Sequence, residues 1–194
     1  MSKAAALFAR WRVRLGYFLA VFVLWFARPT PRSIIIGAMV GAVGLFLRAY
    51  AAGYLHKQSV LTVTGPYGYT RNPLYLGSSV LAFGAGIATR SWISAAILVV
   101  YFALVYVMVM RREEQELFHQ HGQAFKAYAA AVPLFFPRMT AAKLDGASDG
   151  SFSFAQYKKN HEYEAAVGFL LLLLVFLLQW RFWPGLVLLL RNLQ

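Results

Sequence analysis

Two polar stretches carry most of the residues that could do chemistry in this chain. The first is Gly65-Pro66-Tyr67-Gly68-Tyr69-Thr70-Arg71-Asn72-Pro73-Leu74-Tyr75-Leu76-Gly77. It offers phenol rings, one guanidinium and backbone N–H groups. Gly and Pro break helices there, by entropy and by a missing donor. Asn72 precedes Pro73 and is biased away from the helical region. The second stretch, Arg111 to Ala131, offers Arg111, Arg112, Glu113, Glu114, Glu116, His119 and Tyr128. Carboxylates can hold a cationic ligand group, and arginines can hold a carboxylate or phosphate. Glu113 and Glu114 are neighbours, so on a helix they point about 100° apart and do not form an acid/base dyad. One can enter a pocket while the other faces water or Arg111. His119 and His121 diverge in the same way and make a poor metal pair, so no metal site is expected. The chain has no phosphate-binding Gly-rich Lys motif, no G-x-S-x-G and no H-E-x-x-H. It also has no cysteine, which excludes disulfides and thiol nucleophiles.

The elements that must position these stretches are apolar. The 194 residues are 60% hydrophobic and only 13% charged, against about 25% charged in a soluble domain. This is the composition of an integral membrane protein, read as one domain over 1–194. The formal charge of +12 fits basic residues flanking spans and meeting anionic headgroups. No nucleic-acid-binding module is visible.

Five apolar segments are expected to be helices: Leu15–Ala27, Ile34–Gly53, Leu74–Ala88, Trp92–Met110 and Ala165–Trp180. The basic start does not read as a secretory signal, because bulky Trp25 and Phe26 continue the run and no small-residue cleavage site follows. Trp11 suits an interface anchor. Gly37, Gly41 and Gly44 share one helix face and predict a packing seam. Arg48, near the end of that helix, reads as a side chain snorkelling to the interface. Leu61–Thr64 alternates, but a lone strand has no partner, so an extended loop is expected. Leu74–Ala88 is short against the roughly 20 residues of a span. The helix after Met110 is expected to run on, with a break near Gly122, until Pro133 and Pro137. Leu144–Ser153 has the composition of a flexible linker. Arg181 and Pro184 leave the last segment as one kinked span or as a span plus an interfacial piece.

With the N-terminus inside, Lys3, Arg10, Arg12, Arg14, Arg48, Lys57, Arg71, Arg111, Arg112, Lys126, Arg138, Lys143, Lys158 and Lys159 fall on the cytoplasmic side. Arg28, Arg32, Arg90, Arg181 and Arg191 fall outside. This asymmetry orients the chain. It brings both polar stretches to the cytoplasmic end, where irregular backbone is tolerated if it lines a cavity.

Two segments resemble the integral-membrane isoprenylcysteine carboxyl methyltransferases and the related phospholipid N-methyltransferases. One is Leu61-Thr62-x-x-Gly65-Pro66-Tyr67-x-x-x-Arg71-Asn72-Pro73-x-Tyr75-x-Gly77. The other is Glu113-Glu114-x-x-Leu117, then Gly122, Tyr128 and Val132-Pro133. Their order and spacing fit the family from about 49 to 138. The segment over 165–190 lies beyond the resemblance.

The resemblance implies an all-helical polytopic membrane protein with about five spans. It implies a cytosolic S-adenosylmethionine pocket and a lateral opening for a lipid tail. Carried over by position, Tyr67 and the turn of Asn72, Pro73, Leu74 and Tyr75 line the cofactor pocket. Gly65, Arg71, His119 and Tyr128 lie around it. The lead-in of Ser59, Val60, Leu61 and Thr62 adds backbone contacts. Glu113 or Glu114 holds a polar end of the cofactor, and Arg111 or Arg112 holds the acceptor's carboxylate or phosphate. Asn72 stands where the protein-methylating branch has His, and Phe125 where it often has Tyr. Both departures bear on the acceptor.

Methyl transfer from a sulfonium is an in-line displacement, for which positioning and electrostatics supply most of the acceleration. A carboxylate acceptor needs no base, whereas a protonated amine must first lose a proton. An isoprenylcysteine carboxylate is the first acceptor expected and a phospholipid amine the second. Two other classes compete: a sterol-reductase-like enzyme using a nicotinamide, and a non-catalytic lipid-binding or assembly protein.

Overall fold

The computed structural model describes residues 18–56, 60–142 and 150–191, with side chains through Phe182. The lead-in residue Ser59, with Lys57 and Trp11, lies outside the described residues. The described chain is helical and contains no strand. The helices are α1 over 18–26, α2 Pro31–Tyr54, α3 Pro73–Thr89, α4 Trp92–Ala131, α5 Phe154–Lys159 and α6 Tyr163–Arg191. A 3₁₀ turn, Gly65–Gly68, stands between α2 and α3.

Three of the described helices are long and apolar enough to cross a membrane: Pro31–Tyr54, Trp92–Ala131 and Tyr163–Phe182. The chain is thus a membrane protein. Helix α3, at 17 residues, is shorter than a full span, and α1 is described only in part. Leu61–Thr64 is loop, as its isolation requires. The last apolar segment is one continuous helix to Arg191 rather than two pieces.

At one end of the bundle, Thr30 and Ser33 cap α2 reciprocally, with Pro31 in its first turn. The Ser33 hydroxyl also donates to Ala88 O of α3 at 3.0 Å. Gln179 Nε2 of α6 donates to Leu24 O of α1 at 2.8 Å, so the last helix is tied to the first. Ala27, Ile34, Ala88 and Phe176 form a buried core there.

The α2 glycine stripe is a packing seam, and α3 answers it with Gly77 and Gly84. A Cβ at Gly37 would stand 2.5 Å from Gly84 O, and one at Gly44 would stand 2.6 Å from Gly77 O. Phe169 of α6 fills the space over Gly41. Backbone cannot retreat as a flexible side chain can. Gly37→Ala should therefore cost about 1–3 kcal/mol of stability through overpacking. Thermal unfolding in detergent reads this, and a wild-type midpoint would refute the seam.

Two expectations need correction. Arg48 does not snorkel. It continues the Gly37-Gly41-Gly44 stripe by four residues, lies across Gly77 of α3, and pairs with Glu162 from the turn between α5 and α6. Nor is the end of the 144–153 segment a free linker, although 143–149 lie outside the described residues. The Phe152 ring covers Gly53, and Ser153 N–H donates to Gly53 O at 3.0 Å.

Candidate functional site

The site forms at the other end of the bundle, where α2, α3, α4 and the α5–α6 turn meet. The loop entering α3 keeps its irregular path through three devices. Gly65 takes φ +58, and a Cβ there would also meet the Tyr54 ring at 2.5 Å, so a side chain is excluded twice. The strap after α4 satisfies the loop's polar groups. Arg71 N–H donates to Pro133 O at 3.0 Å, while Arg138 N–H and Ala142 N–H reach Tyr69 O and Gly68 O. Finally, Phe125, Tyr128 and Val132 form a buried floor against Leu61 and Val63. Gly122, at φ 52, breaks α4 as its position suggests and lets the last turns fold under the loop.

The sequence-derived residues then divide. Tyr75 Oη donates to Glu113 Oε1 at 2.7 Å, and its ring lies 4.9 Å from Tyr106. Glu114 pairs instead with Arg71. The adjacent glutamates therefore both turn inward, to different partners; neither faces water or Arg111 as a free surface acid. Tyr67 is 7% exposed, and its hydroxyl has no hydrogen-bond partner. Burial, reinforced by nearby Tyr128, Glu162, Glu113 and Tyr75, pushes its pKa well above that of an ordinary phenol. Arg71 Nε is likewise buried and unpartnered. Two buried polar atoms of the first motif are thus left without a hydrogen-bond partner in the protein.

Other residues are committed to structure. Tyr128 Oη donates to Tyr67 O at 2.9 Å. The Asn72 amide nitrogen donates to Leu134 O at 3.0 Å. Thr62 Oγ1 accepts from His56 N–H, and Leu61 packs on the floor. Pro73 and Leu74 open α3. Val60, Arg111, Arg112 and His119 are exposed, and Arg112 is held by Glu116 one turn on at 2.8 Å.

Sequence reasoning missed a second polar group. Arg48 Nη2 donates to Glu162 Oε2 at 2.7 Å and Arg48 Nε to the same oxygen at 3.0 Å. Arg48 also donates to Ser78. Its side chain lies across Gly77, where a Cβ would meet Arg48 Cγ at 2.8 Å. The last glycine of the first motif thus makes room for this arginine. The glycine stripe was the signal that could have found it.

Beside the polar group, α3 and α4 bound an apolar groove of about 1020 Å³. Ser79, Phe83 and Ile87 line one wall, Val99, Tyr106 and Met110 the other, with Leu134 to Phe136 across its end. From Met110 to Trp92 it follows α4 for about 27 Å, at 1.5 Å per residue. Glu113 stands one turn beyond Met110. Phe83, Trp92 and Val99 are exposed on the flank of the bundle.

The sequence pattern described as phospholipid methyltransferase matches residues 11–124. The chain belongs to this family of membrane methyltransferases. A nickel-cobalt-cadmium resistance protein, NccN, of Alcaligenes xylosoxydans xylosoxydans is 33% identical over 67% of this chain. A cobalt-zinc-cadmium resistance protein, CzcN, of Cupriavidus metallidurans is 31% identical over 67%. The chain spans 64% and 63% of the length of these relatives. No solved structure matches it. Membership of this phospholipid methyltransferase family implies a methyl donor of the S-adenosylmethionine type. The matched region contains Tyr67, Arg71, Tyr75, Glu113 and Glu114, whereas Glu162 lies beyond it.

Proposed function

We propose that this phospholipid methyltransferase family member transfers a methyl group from S-adenosylmethionine to a lipid-like acceptor at the cytoplasmic side of the membrane. One juxtaposition carries the reading. Two motif contacts, Tyr75 with Glu113 and Arg71 with Glu114, stand next to an apolar groove long enough for a lipid tail. The residues suit the donor. Its ammonium and hydroxyl groups are matched by Glu113, Tyr75 and the unpartnered Tyr67 hydroxyl, and its carboxylate by the Arg71 Nε–H. When bound, S-adenosylmethionine supplies an electrophilic methyl group. Glu113 and Tyr75 orient the ligand, Tyr67 and Arg71 bind it, and the apolar walls of the groove keep water from the acceptor.

Two acceptors fit. An isoprenylcysteine-type carboxylate would be held by Arg111, since Arg112 is engaged by Glu116. A phospholipid amine is the second reading, favoured by the carboxylates around Tyr67. Methyl transfer to a prenylated cysteine analogue and to phosphatidylethanolamine, each across pH 6 to 9, separates them. The carboxylate case predicts little dependence on pH over that range. The amine case predicts a rising limb, because the reacting nitrogen must shed a proton. Transfer to neither, together with binding of NADPH, would favour a reductase and overturn the proposal.

A further inference from the structure

The groove between α3 and α4 is longer than one lipid tail. At 1.5 Å per residue, Glu113 to Ala103 of α4 covers about 15 Å, and Ala103 to Trp92 covers about 16 Å more. The hydrocarbon of a bilayer is about 30 Å thick, so the chains of one leaflet reach about 15 Å. A tail entering beside Glu113 therefore ends near Ala103. The other half of the groove is left to a different occupant. Gly86, Ala95 and Ala96 line that half, and Arg90 and Trp92 stand at its end.

This half stays open because its walls are small. On its other face α3 is closed tightly against α2, where a Cβ at Gly84 would stand 2.6 Å from Gly37 O. At Gly86 an added Cβ would meet nothing nearer than Ala95 Cβ, at 3.7 Å. An apolar groove does not hold water, and its flank is exposed at Ala96 and Val99, so hydrocarbon fills it. A cation stands at its mouth. Arg90 is exposed, and among the described residues its guanidinium has no ion pair and no hydrogen bond. Arg28, at the same end of the bundle, donates instead to Trp25 O at 3.0 Å and Ala27 O at 2.8 Å. Arg90 also takes φ 51 at the end of α3, a conformation that glycine adopts more cheaply. A guanidinium at the head of an apolar groove matches a phosphate above an acyl chain.

We propose that the Arg90 half of the groove binds a phospholipid from the leaflet opposite the Glu113 end, with its phosphate on the Arg90 guanidinium and one acyl chain along Gly86 and Ala96. The guanidinium offers the phosphate two parallel N–H donors. Trp92, 91% exposed, stands beside it at headgroup level, where an indole is well placed. Two chains, one from each leaflet, then meet end to end near Ala103. This lipid is bound and not methylated, because its headgroup lies a bilayer's thickness from Glu113. The inference goes beyond the methyl-transfer reading and does not depend on it.

The test uses the intact chain in detergent and phosphatidylglycerol, which carries a phosphate but neither an amine nor a carboxylate to accept a methyl group. Native mass spectrometry titrates this lipid against wild type, Arg90→Gly, Ala96→Phe and Arg32→Gln. Glycine suits the positive φ at position 90, so the melting temperature of Arg90→Gly should not fall. Loss of a charged hydrogen bond should weaken its phosphatidylglycerol binding about tenfold. Ala96→Phe keeps the cation but puts a ring in the path of the chain, and it should weaken binding similarly. Arg32→Gln removes an exposed cation of α2 at the same end of the bundle, outside the groove, and should bind as wild type does. Wild-type affinity in Arg90→Gly would overturn the site. Equal losses in Arg90→Gly and Arg32→Gln would overturn it too, because surface charge alone would then account for binding. Wild-type affinity in folded Ala96→Phe would mean that the chain does not lie in the groove, and the proposal would fail. No arm of the test involves S-adenosylhomocysteine, so its failure leaves the methyltransferase reading standing.

Discussion

Glu113→Gln should weaken S-adenosylhomocysteine binding by at least about tenfold, while the melting temperature changes little. The carboxylate stands one helical turn beyond Met110 of the groove wall and is fixed by the Tyr75 hydroxyl at 2.7 Å. Packing of the Tyr75 ring on Tyr106 holds that hydroxyl in place. A hydrogen bond to a charged group contributes about 1.5–3 kcal/mol, and each 1.4 kcal/mol is about tenfold in affinity. Gln keeps the shape and can still accept from Tyr75, so the fold loses little. Calorimetry on the purified variant checks the affinity, and a scanning melt checks the fold. Wild-type affinity in Glu113→Gln would remove this residue from the pocket. Its neighbour should behave differently. Glu114→Gln should mainly lower stability, because Glu114 serves Arg71 rather than facing the groove.

The second large effect concerns that pair. Arg71→Met should destabilise the protein by about 3 kcal/mol. Breaking a buried ion pair by removing one partner typically costs about 3–5 kcal/mol, because the remaining charge is left buried. The side chains of Arg71 and Glu114 are 14% and 24% exposed, so water relieves part of this and the low end applies. The loop's own backbone bond, Arg71 N–H to Pro133 O, survives the substitution. Adding Glu114→Gln to Arg71→Met should restore much of the loss, since no unpaired charge then remains. Melting temperatures of the two single variants and the double variant form the required cycle. Strict additivity would mean that the two residues do not interact, and the coupling assigned to them would be wrong.

Properties of short stretches were legible in the sequence. Hydropathy and helix length identified a membrane protein, because the cost of placing polar backbone and charge in a bilayer is paid residue by residue. Gly65, Pro66, Asn72 and Pro73 announced irregular backbone before a new helix. Gly122 marked a break in α4, since only Gly takes φ near +52 cheaply. The three spaced glycines of α2 marked a seam. The motif pair around Tyr67 and Glu113 also led to the family that the chain proved to belong to.

What the tertiary structure decided is where distant side chains meet. Arg48 and Glu162 are separated by 114 positions, and no local pattern says that a basic residue near a helix end will turn inward to a carboxylate. Glu113 and Glu114 are indistinguishable in sequence. Only the approach of α3 gives one to Tyr75 and the other to Arg71. Tyr128 and Asn72 look like ligand contacts in the motif, yet the strap after α4 and the Tyr67 carbonyl claim their donors. The physical reason is common to all six residues. A side chain's role depends on which partner lies within about 3 Å of it, and helix packing sets that distance between segments far apart in the chain.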